Sequence, residues 1–420
     1  MYEVHPPAVY IHERALATPQ RRARVERMLA CMHPPEAPEV VDDARLSEVS
    51  LSREWPRKGG LRTGQWKLTG DPIVILNAFA WESPEALAER ARAFPGLRAW
   101  TLSGGEPWGF RERRHYIDRG TVCQDAWELH SALGCLHRCD YCHVGGFLNI
   151  MVNLEELVER LPELLDANPW LQLIKYDNQT DTIPFEPEYG ASELLVDFFA
   201  RSPDRYLMLY TKSDNVDHLL PLDHRGHTIV SFTISAATTA RRIEHGTPDT
   251  LRRVEAAAKV AGAGYTPRVR FSPIVPVRDW RDEMSALARE LLARVTPDLI
   301  TMDLLGWVNP AALEDILDVS LLEPRFLEGI RSLYADGPPG PAYWPSCKQI
   351  IPHELRSEVY RFVIPEVRRH STAVRLAICN ETPEMWDELA PLLGMTAETH
   401  VCGCGPRSVP GNALFTAHRA

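Results

Sequence analysis

The sequence lacks the features that would place the protein in a membrane, on a secretory route or in a disulfide-rich class. Within its 420 residues no apolar run approaches the about 20 residues that a spanning helix needs. The first residues do not follow the basic-then-apolar plan of a signal peptide. The nine cysteines are odd in number, and none lies between Cys142 and Cys347. This distribution suits a reducing compartment better than a disulfide framework, so we expect a cytoplasmic protein without a membrane partner.

The sequence also lacks an excess of basic residues, with 46 Lys and Arg against 57 Asp and Glu and a formal net charge of -11. Duplex DNA and anionic membranes attract proteins with a broad basic surface. The charge balance therefore makes nucleic acid an unlikely partner and favours a small-molecule substrate.

What the sequence does contain is a compact group of three cysteines. Cys135, Cys139 and Cys142 follow the spacing C-x3-C-x2-C. Three thiolates hold three irons of a [4Fe-4S] cluster and leave the fourth iron open to a small ligand. A zinc loop is the alternative, but zinc usually takes two C-x2-C pairs or histidine partners at fixed offsets, and only one such pair is present. The spacing thus predicts a cluster with an open iron.

From residue 150 to residue 305, short apolar segments of strand character alternate with amphipathic segments of helical character. Such alternation is typical of parallel strands covered by helices. We expect an α/β fold built on a partial, open (β/α)6 barrel of the TIM type, with the functional site at the carboxyl ends of its strands.

Three regions are expected from the change of pattern along the chain. Residues 1–120 form an N-terminal extension, 121–306 the partial barrel, and 307–420 a C-terminal cysteine-containing region. Residues 33–71 show no sustained period and are predicted to be rich in loops. The Pro- and Gly-rich stretch 306–345 is predicted to be a linker or a lid.

A set of short stretches, in one order from about residue 8 to residue 305, adds to the cysteine spacing. They are Val9-Tyr10-Ile11, Val152-Asn153-Leu154-Glu155-Glu156, Thr211-Lys212, Phe232-Thr233-Ile234-Ser235, Glu244-His245-Gly246-Thr247 and residues 256–265. Together with the cysteine loop and its Tyr141, these stretches resemble the spore photoproduct lyase-like branch of the radical S-adenosylmethionine (SAM) superfamily.

The resemblance implies a barrel of the radical SAM type, a [4Fe-4S] cluster at the three cysteines, and SAM bound to the open iron. It implies that an electron from a donor such as flavodoxin or ferredoxin splits SAM to a 5'-deoxyadenosyl radical. It also implies a set of residues near the cofactor: Tyr141, Thr180, Asp181, Lys212, Thr233 and Ser235.

Two positions depart from the pattern that the resemblance implies. The lyases return a hydrogen atom through a cysteine and use a tyrosine directly after the third cluster cysteine, whereas this chain has Asn178 and His143 there. An amide cannot donate a hydrogen atom to a carbon radical as a thiol does. We therefore take both positions as catalytic candidates with a different role, and expect hydrogen abstraction from a nucleoside, a sugar or an amino-acid-derived metabolite.

Three alternatives stay open at this point. The chain transfers a 3-amino-3-carboxypropyl group from SAM to a soft acceptor held by C-terminal thiols, or it is a DNA-lesion lyase with a different hydrogen donor. The third alternative is a non-catalytic iron-sulfur sensor.

The last quarter of the chain contains Cys347, Cys379, Cys402 and Cys404. They are candidates for the ligands of an auxiliary iron-sulfur cluster, for a thiophilic site or for a relocated hydrogen donor; the simpler alternative is that they are buried small residues. The C-x-C spacing between glycines favours a functional role for Cys402 and Cys404. Cys31 and Cys123 are expected to be structural.

Overall fold

The computed structural model describes residues 1–99, 101–105, 107–118, 120–335 and 350–417. Its strands are β1 Val9–His12, β2 Glu39–Val41, β3 Ile73–Asn77, β4 Trp108–Arg111, β5 Ala126–Leu129, β6 Ala132–Leu133, β7 Arg138–Cys139, β8 Phe147–Met151, β9 Leu173–Tyr176, β10 Tyr206–Thr211, β11 Thr228–Thr233, β12 Glu244–His245, β13 Thr266–Ile274, β14 Leu299–Leu304 and β15 Arg375–Ile378.

The α-helices within the same residues lie between or after these strands. They are α1 Pro19–Leu29, α2 Asp43–Ser52, α3 Trp55–Lys58, α4 Thr63–Trp66, α5 Pro84–Ala93, α6 Arg113–Ile117, α7 Leu154–Ala167, α8 Ala191–Ala200, α9 Ala237–Arg242, α10 Thr250–Gly262, α11 Trp280–Leu292, α12 Leu313–Ile316, α13 Pro324–Leu333, α14 His353–His370, α15 Pro383–Leu393 and α16 Ala413–Ala417.

The larger sheet is the predicted partial barrel. Its strand order is β15-β14-β13-β11-β10-β9-β5-β4. Neighbours from β5 to β15 pair in parallel, and only β4 at the edge runs antiparallel to its neighbour within the described residues. The two edge strands do not pair with each other, so the barrel is open as predicted. Because its strands are parallel, their carboxyl ends lie at one edge.

A second sheet carries the flanks of the three-cysteine loop. Its order is β2-β1-β3-β8-β6, so strands of the N-terminal region pair with β8, which follows the cysteines, while β6 precedes them. This sheet joins residues on both sides of the expected boundary at residue 120, and the domain boundaries stay predictions.

The C-terminal segment 401–409 fills the inner side of the larger sheet. Its apolar contacts there form one buried group with residues from β9, β10 and β11, namely Leu173, Met208, Tyr210, Ile229, Cys402, Cys404 and Val409. Arg268, which is fully buried, fixes the segment: its Nη1 donates to the Gly403 carbonyl at 2.7 Å and its Nη2 to the Ser408 carbonyl at 2.9 Å. The C-terminal thiols are thereby carried inside the barrel.

The prediction that residues 33–71 are mostly loop is wrong, since β2, α2, α3 and α4 lie there. The Asp42 side chain caps α2 by accepting from the Arg45 amide at 2.8 Å, and α2 buries Leu46 and Val49. The linker predicted at 306–345 holds α12 and α13 as far as it is described. In the described part of the chain no helix has the length and apolar character needed to cross a membrane.

Candidate active site

Backbone contacts fix the three-cysteine loop between β6 and β8. Gly134, just before Cys135, has a φ of +90°, and a Cβ there would lie 1.8 Å from the Phe147 carbonyl oxygen. Only glycine fits this approach of the two chains. On the other side of the loop, the Thr63 amide and hydroxyl both donate to the Cys142 carbonyl, at 2.7 Å and 2.9 Å. The N-terminal region therefore holds the loop from outside.

A short pair of antiparallel strands connects the middle of the loop to the barrel. β7 contains Cys139 and pairs with β12, which sets Glu244 opposite Cys139. The position of the cysteines is thus fixed by both sheets rather than by the loop sequence alone.

The Glu244 carboxylate is the centre of a buried polar network. Its Oε1 accepts from Lys212 Nζ at 2.9 Å, from Ser235 Oγ at 2.8 Å and from the Tyr141 hydroxyl. Its Oε2 accepts from Arg253 Nη1 at 2.7 Å, and neither the Glu244 nor the Arg253 side chain is exposed. Burial opposes ionisation, but Lys212 and Arg253 outweigh it and lower the pKa of Glu244.

This network includes three residues predicted to bind SAM, namely Tyr141, Lys212 and Ser235, but only two of them line the cavity. Lys212 and Tyr141 line the cavity beside the cysteines, whereas Ser235 is not among the residues that line it. Sequence reasoning assigned no role to Glu244, although the stretch Glu244-His245-Gly246-Thr247 was part of the family resemblance.

One cavity of about 740 Å³ at the carboxyl edge of the barrel brings most of the predicted site together. Its walls include the predicted residues Cys135, Cys139, Tyr141, Cys142, His143, Asn178, Thr180, Asp181, Lys212, Thr233, Cys379 and Cys404. This volume lies within the about 300–1,000 Å³ typical of small-molecule and cofactor sites.

Asp181 lies on the cavity wall, but its carboxylate is already engaged by the protein. Oδ2 accepts from His137 Nε2 at 3.0 Å, from Thr211 Oγ1 at 3.0 Å and from the Lys212 amide at 2.7 Å. Asp181 thus connects the cysteine loop, through His137, to the end of β10. Next to it, the buried Thr180 Oγ1 has no hydrogen-bond partner among the described residues.

Asn178 bridges two charged side chains on the same wall. In the orientation that satisfies both of its amide atoms, its nitrogen donates to Glu128 Oε2 at 3.1 Å and its oxygen accepts from Lys175 Nζ at 2.8 Å. Burial opposes the ionisation of Glu128, but Lys175 and Arg111 outweigh it and lower the pKa to about 2. This part of the cavity is therefore charged, and Asn178 belongs to its polar network.

His143 also lines the cavity, directly after the third loop cysteine. Burial, together with the charge of Arg62, lowers the pKa of His143 to about 4. The ring is thus neutral at pH 7.

A second group of thiols lies at the side of the cavity where the barrel encloses segment 401–409. Cys379 and Cys404 line the cavity, and Cys402 lies behind them with its thiol 3.6 Å from Gln124 Oε1. Cys123, expected to be structural, belongs to this group, because it lies close enough to contribute to the raised pKa of both Cys379 and Cys402. Cys347, the other predicted member, lies outside the described residues.

Comparison with known proteins connects this geometry to one family. The sequence profile of the spore photoproduct lyase family matches residues 124–306. The spore photoproduct lyase of Bacillus subtilis (strain 168) is 30% identical over 193 residues, which cover 41% of this chain and 54% of that protein. The lyase of Clostridium acetobutylicum is 24% identical over 171 residues, covering 39% and 51%. The chain spans about half the length of the curated relatives it matches.

Solved structures extend the likeness over most of the chain. A spore photoproduct lyase complexed with dinucleoside spore photoproduct matches with a TM-score of 0.59 and 15% identity, covering 89% of this chain and 99% of that one. A spore photoproduct lyase mutant with bound AdoMet and dinucleoside spore photoproduct gives 0.57 and 16%, covering 90% and 98%. Residues 124–306 thus match the spore photoproduct lyase family, and the chain shares the fold of the solved spore photoproduct lyases. This confirms the resemblance and the barrel of the radical SAM type.

The prediction that nucleic acid is an unlikely partner is wrong. The relatives with this fold are lyases whose solved complexes hold a dinucleoside spore photoproduct, which is a pair of linked nucleosides. The prediction failed because net charge averages over the whole surface, whereas binding depends on the charge within the cavity. Among the described residues, five cationic side chains line the cavity walls, namely Arg62, Arg111, Lys175, Lys212 and Arg270.

The residues present fit the cofactors that this branch uses, a [4Fe-4S] cluster and SAM. Cys135, Cys139 and Cys142 are free thiols that face one cavity. Among the described residues no three Cys, His, Asp or Glu side chains lie close enough to hold a single metal ion. The unpartnered Thr180 hydroxyl and the Lys212 ammonium supply polar groups for a zwitterionic ligand.

Proposed function

We propose that this chain is a radical SAM enzyme that abstracts a hydrogen atom from a pair of linked nucleosides, as occurs in a DNA lesion. The proposal replaces the small-molecule metabolite favoured by the sequence. It keeps the expected chemistry, in which SAM bound to the open iron of the cluster supplies a 5'-deoxyadenosyl radical.

The observation that carries the proposal is the shared cavity. The three loop cysteines and the expected SAM residues Thr180, Lys212 and Thr233 line the same space as Arg111, Lys175 and Arg270. A cavity lined only by the cysteines and the SAM residues, with no room for a substrate, would suit a sensor that only binds the cofactor. A continuous cavity with added cations suits an enzyme that holds a lesion within a phosphate-bearing nucleic-acid fragment next to the cofactor.

The chain's own residues divide into two sets by their contacts. Lys212 is oriented by Glu244, and Asp181 connects the cysteine loop to β10, so these residues hold the cofactor end in place. At the other end, Arg111 and Lys175 flank Glu128 at 3.5 Å and 2.6 Å. These cations are positioned to attract the backbone of a nucleic-acid fragment.

The proposal does not include an auxiliary cluster. Cys404 and Cys402 have partners within the protein, namely Arg111 Nη2 at 2.9 Å and Gln124 Oε1 at 3.6 Å. An iron count after reconstitution distinguishes the alternatives, since one cluster corresponds to about four irons per chain and two clusters to about eight.

The test is anaerobic turnover of the reconstituted, reduced protein with SAM and dinucleoside spore photoproduct. We expect 5'-deoxyadenosine whose formation rises when the dinucleoside is added, together with a changed dinucleoside. Cys139→Ala should abolish both products, whereas Cys31→Ala, which removes a thiol remote from the cavity walls, should leave them unchanged.

Two outcomes would contradict the proposal. If the rate of 5'-deoxyadenosine formation does not change when the dinucleoside is added, this substrate class is ruled out. Formation of 5'-methylthioadenosine instead would favour transfer of the 3-amino-3-carboxypropyl group to a soft acceptor held by the C-terminal thiols, of which Cys404 lines the cavity wall.

A further inference from the structure

Hydrogen abstraction leaves a carbon radical on the substrate, and the reaction ends only when that radical receives a hydrogen atom. Asn178 occupies the position that the family resemblance gives to the donor, and its amide is engaged by Glu128 and Lys175. Apart from the three loop cysteines, the thiols on the cavity wall within the described residues are Cys379 and Cys404. The donor must therefore be sought on the C-terminal side of the cavity.

The two thiols have different hydrogen-bond partners. Cys404 Sγ lies 2.9 Å from Arg111 Nη2, a cation that donates to it. Cys402 and then the Arg111 charge hold the pKa of Cys404 well below its usual range. A guanidinium donating at this distance favours the thiolate form of Cys404, and a thiolate has no S–H bond from which a hydrogen atom can be taken.

Cys379 has a neutral partner and keeps its proton. It follows the end of β15, where its amide donates to the Met302 carbonyl at 2.8 Å, and its Sγ accepts from Asn380 Nδ2 at 3.1 Å. Burial, reinforced by the nearby Asp303 carboxylate, raises the pKa of Cys379 to about 12. At neutral pH an S–H bond is thus present at the carboxyl edge of the barrel, where the strands present the site.

We propose that Cys379 is the hydrogen-atom donor to the substrate radical in this chain. The inference rests on the proposed function. In the step, the S–H bond of Cys379 breaks, a C–H bond forms on the substrate, and a thiyl radical remains on the sulfur. One electron from a low-potential one-electron donor, of the class that reduces the cluster, and one proton from solvent restore the thiol.

The test uses the exchange of thiol protons with water. In D2O the wild-type protein, with SAM and dinucleoside spore photoproduct, should place about one solvent deuterium on each product molecule, since the donated atom comes from an S–D bond. In Cys379→Ala and Cys379→Ser the solvent deuterium should fall at least about tenfold, while 5'-deoxyadenosine still forms because the first abstraction does not need the thiol.

Cys404→Ser is the matched comparison, because it removes the other thiol from the same wall. It should retain the deuterium. An iron count equal to that of the wild type shows that each variant has folded and holds its cluster. The donor assignment is overturned if both Cys379 variants keep wild-type deuterium, or if Cys404→Ser alone loses it.

A second measurement separates this inference from the proposed function. If the wild-type protein leaves the dinucleoside unchanged, the proposed substrate fails, and alkylation of the apo-protein still decides the state of the thiols. Iodoacetamide at pH 7.5 should modify Cys404 at least about tenfold faster than Cys379, because the thiolate is the nucleophile. Faster modification of Cys379 would show that it lacks the S–H bond the proposal needs.

Discussion

Replacing Glu244 with glutamine tests the network that joins the cysteine loop to the barrel. The change keeps the shape of the side chain and removes its charge, which leaves Lys212 and Arg253 without their common counter-ion. Arg253 is fully buried and Lys212 is only 17% exposed. Removing one partner of a buried ion pair typically costs about 3–5 kcal/mol. Because the amide can still accept one hydrogen bond, we expect a loss near the lower end of that range.

The assay is urea unfolding of the apo-protein followed by tryptophan fluorescence. Asp197→Asn is the control, since it breaks the Asp197–Arg201 pair, in which both side chains are more than half exposed. An exposed pair of this kind contributes about 0–1 kcal/mol. Equal losses of unfolding free energy in the two variants would refute the view that Glu244 is a buried structural centre.

Three further predictions follow from individual contacts. Gly134→Ala places a Cβ 1.8 Å from the Phe147 carbonyl oxygen and should reduce the iron bound after reconstitution to less than half, measured by a colorimetric iron assay. Asp181→Asn removes an acceptor shared by the cysteine loop and β10 and should weaken SAM binding at least about tenfold in calorimetry, at a cost of about 1.4 kcal/mol or more. Because the pKa of Glu128 in the folded protein, about 2, lies below its ordinary value of 4.5, its contribution to stability is present above pH 4.5 and is lost as the pH falls toward 2. Glu128→Gln should therefore flatten the acid-unfolding curve over that range, and an unchanged slope would contradict the role of Lys175 as its counter-ion.

The cysteine loop and the barrel strands could be predicted because their determinants are local. The C-x3-C-x2-C spacing lies within eight residues, and most barrel strands are short apolar runs followed by a helix. Thus the amphipathic helices Leu154–Ala167 and Thr250–Gly262 lie within the stretch 150–305, where alternating strands and helices are predicted. Local sequence patterns predict these helices and strands because the residues that determine each of them are neighbours in the chain.

The Glu244 network could not be predicted because its members come together only in the folded chain. Tyr141, Lys212, Ser235 and Arg253 belong to four separate segments, and the antiparallel pairing of β7 with β12 brings the loop beside Glu244. No periodicity encodes this pairing.

The position of Cys123 beside the C-terminal cysteines could not be predicted for a related reason. The residue lies in the segment before β5, and it meets the C-terminal cysteines only because segment 401–409 enters the barrel. The prediction about nucleic acid failed for the same reason. The sequence does not show which charged residues come together in the fold, and Arg111 and Arg270 are far apart in sequence yet line one cavity.

The central claim is that Cys135, Cys139 and Cys142 hold a [4Fe-4S] cluster whose open iron binds SAM. The most direct measurement is the iron content after anaerobic reconstitution, combined with the electron paramagnetic resonance spectrum of the reduced protein before and after SAM is added. The account predicts about four irons per chain, a spectrum that changes with SAM, and loss of both in Cys139→Ala. Iron binding that is unaffected by Cys139→Ala, or a spectrum indifferent to SAM, would contradict it.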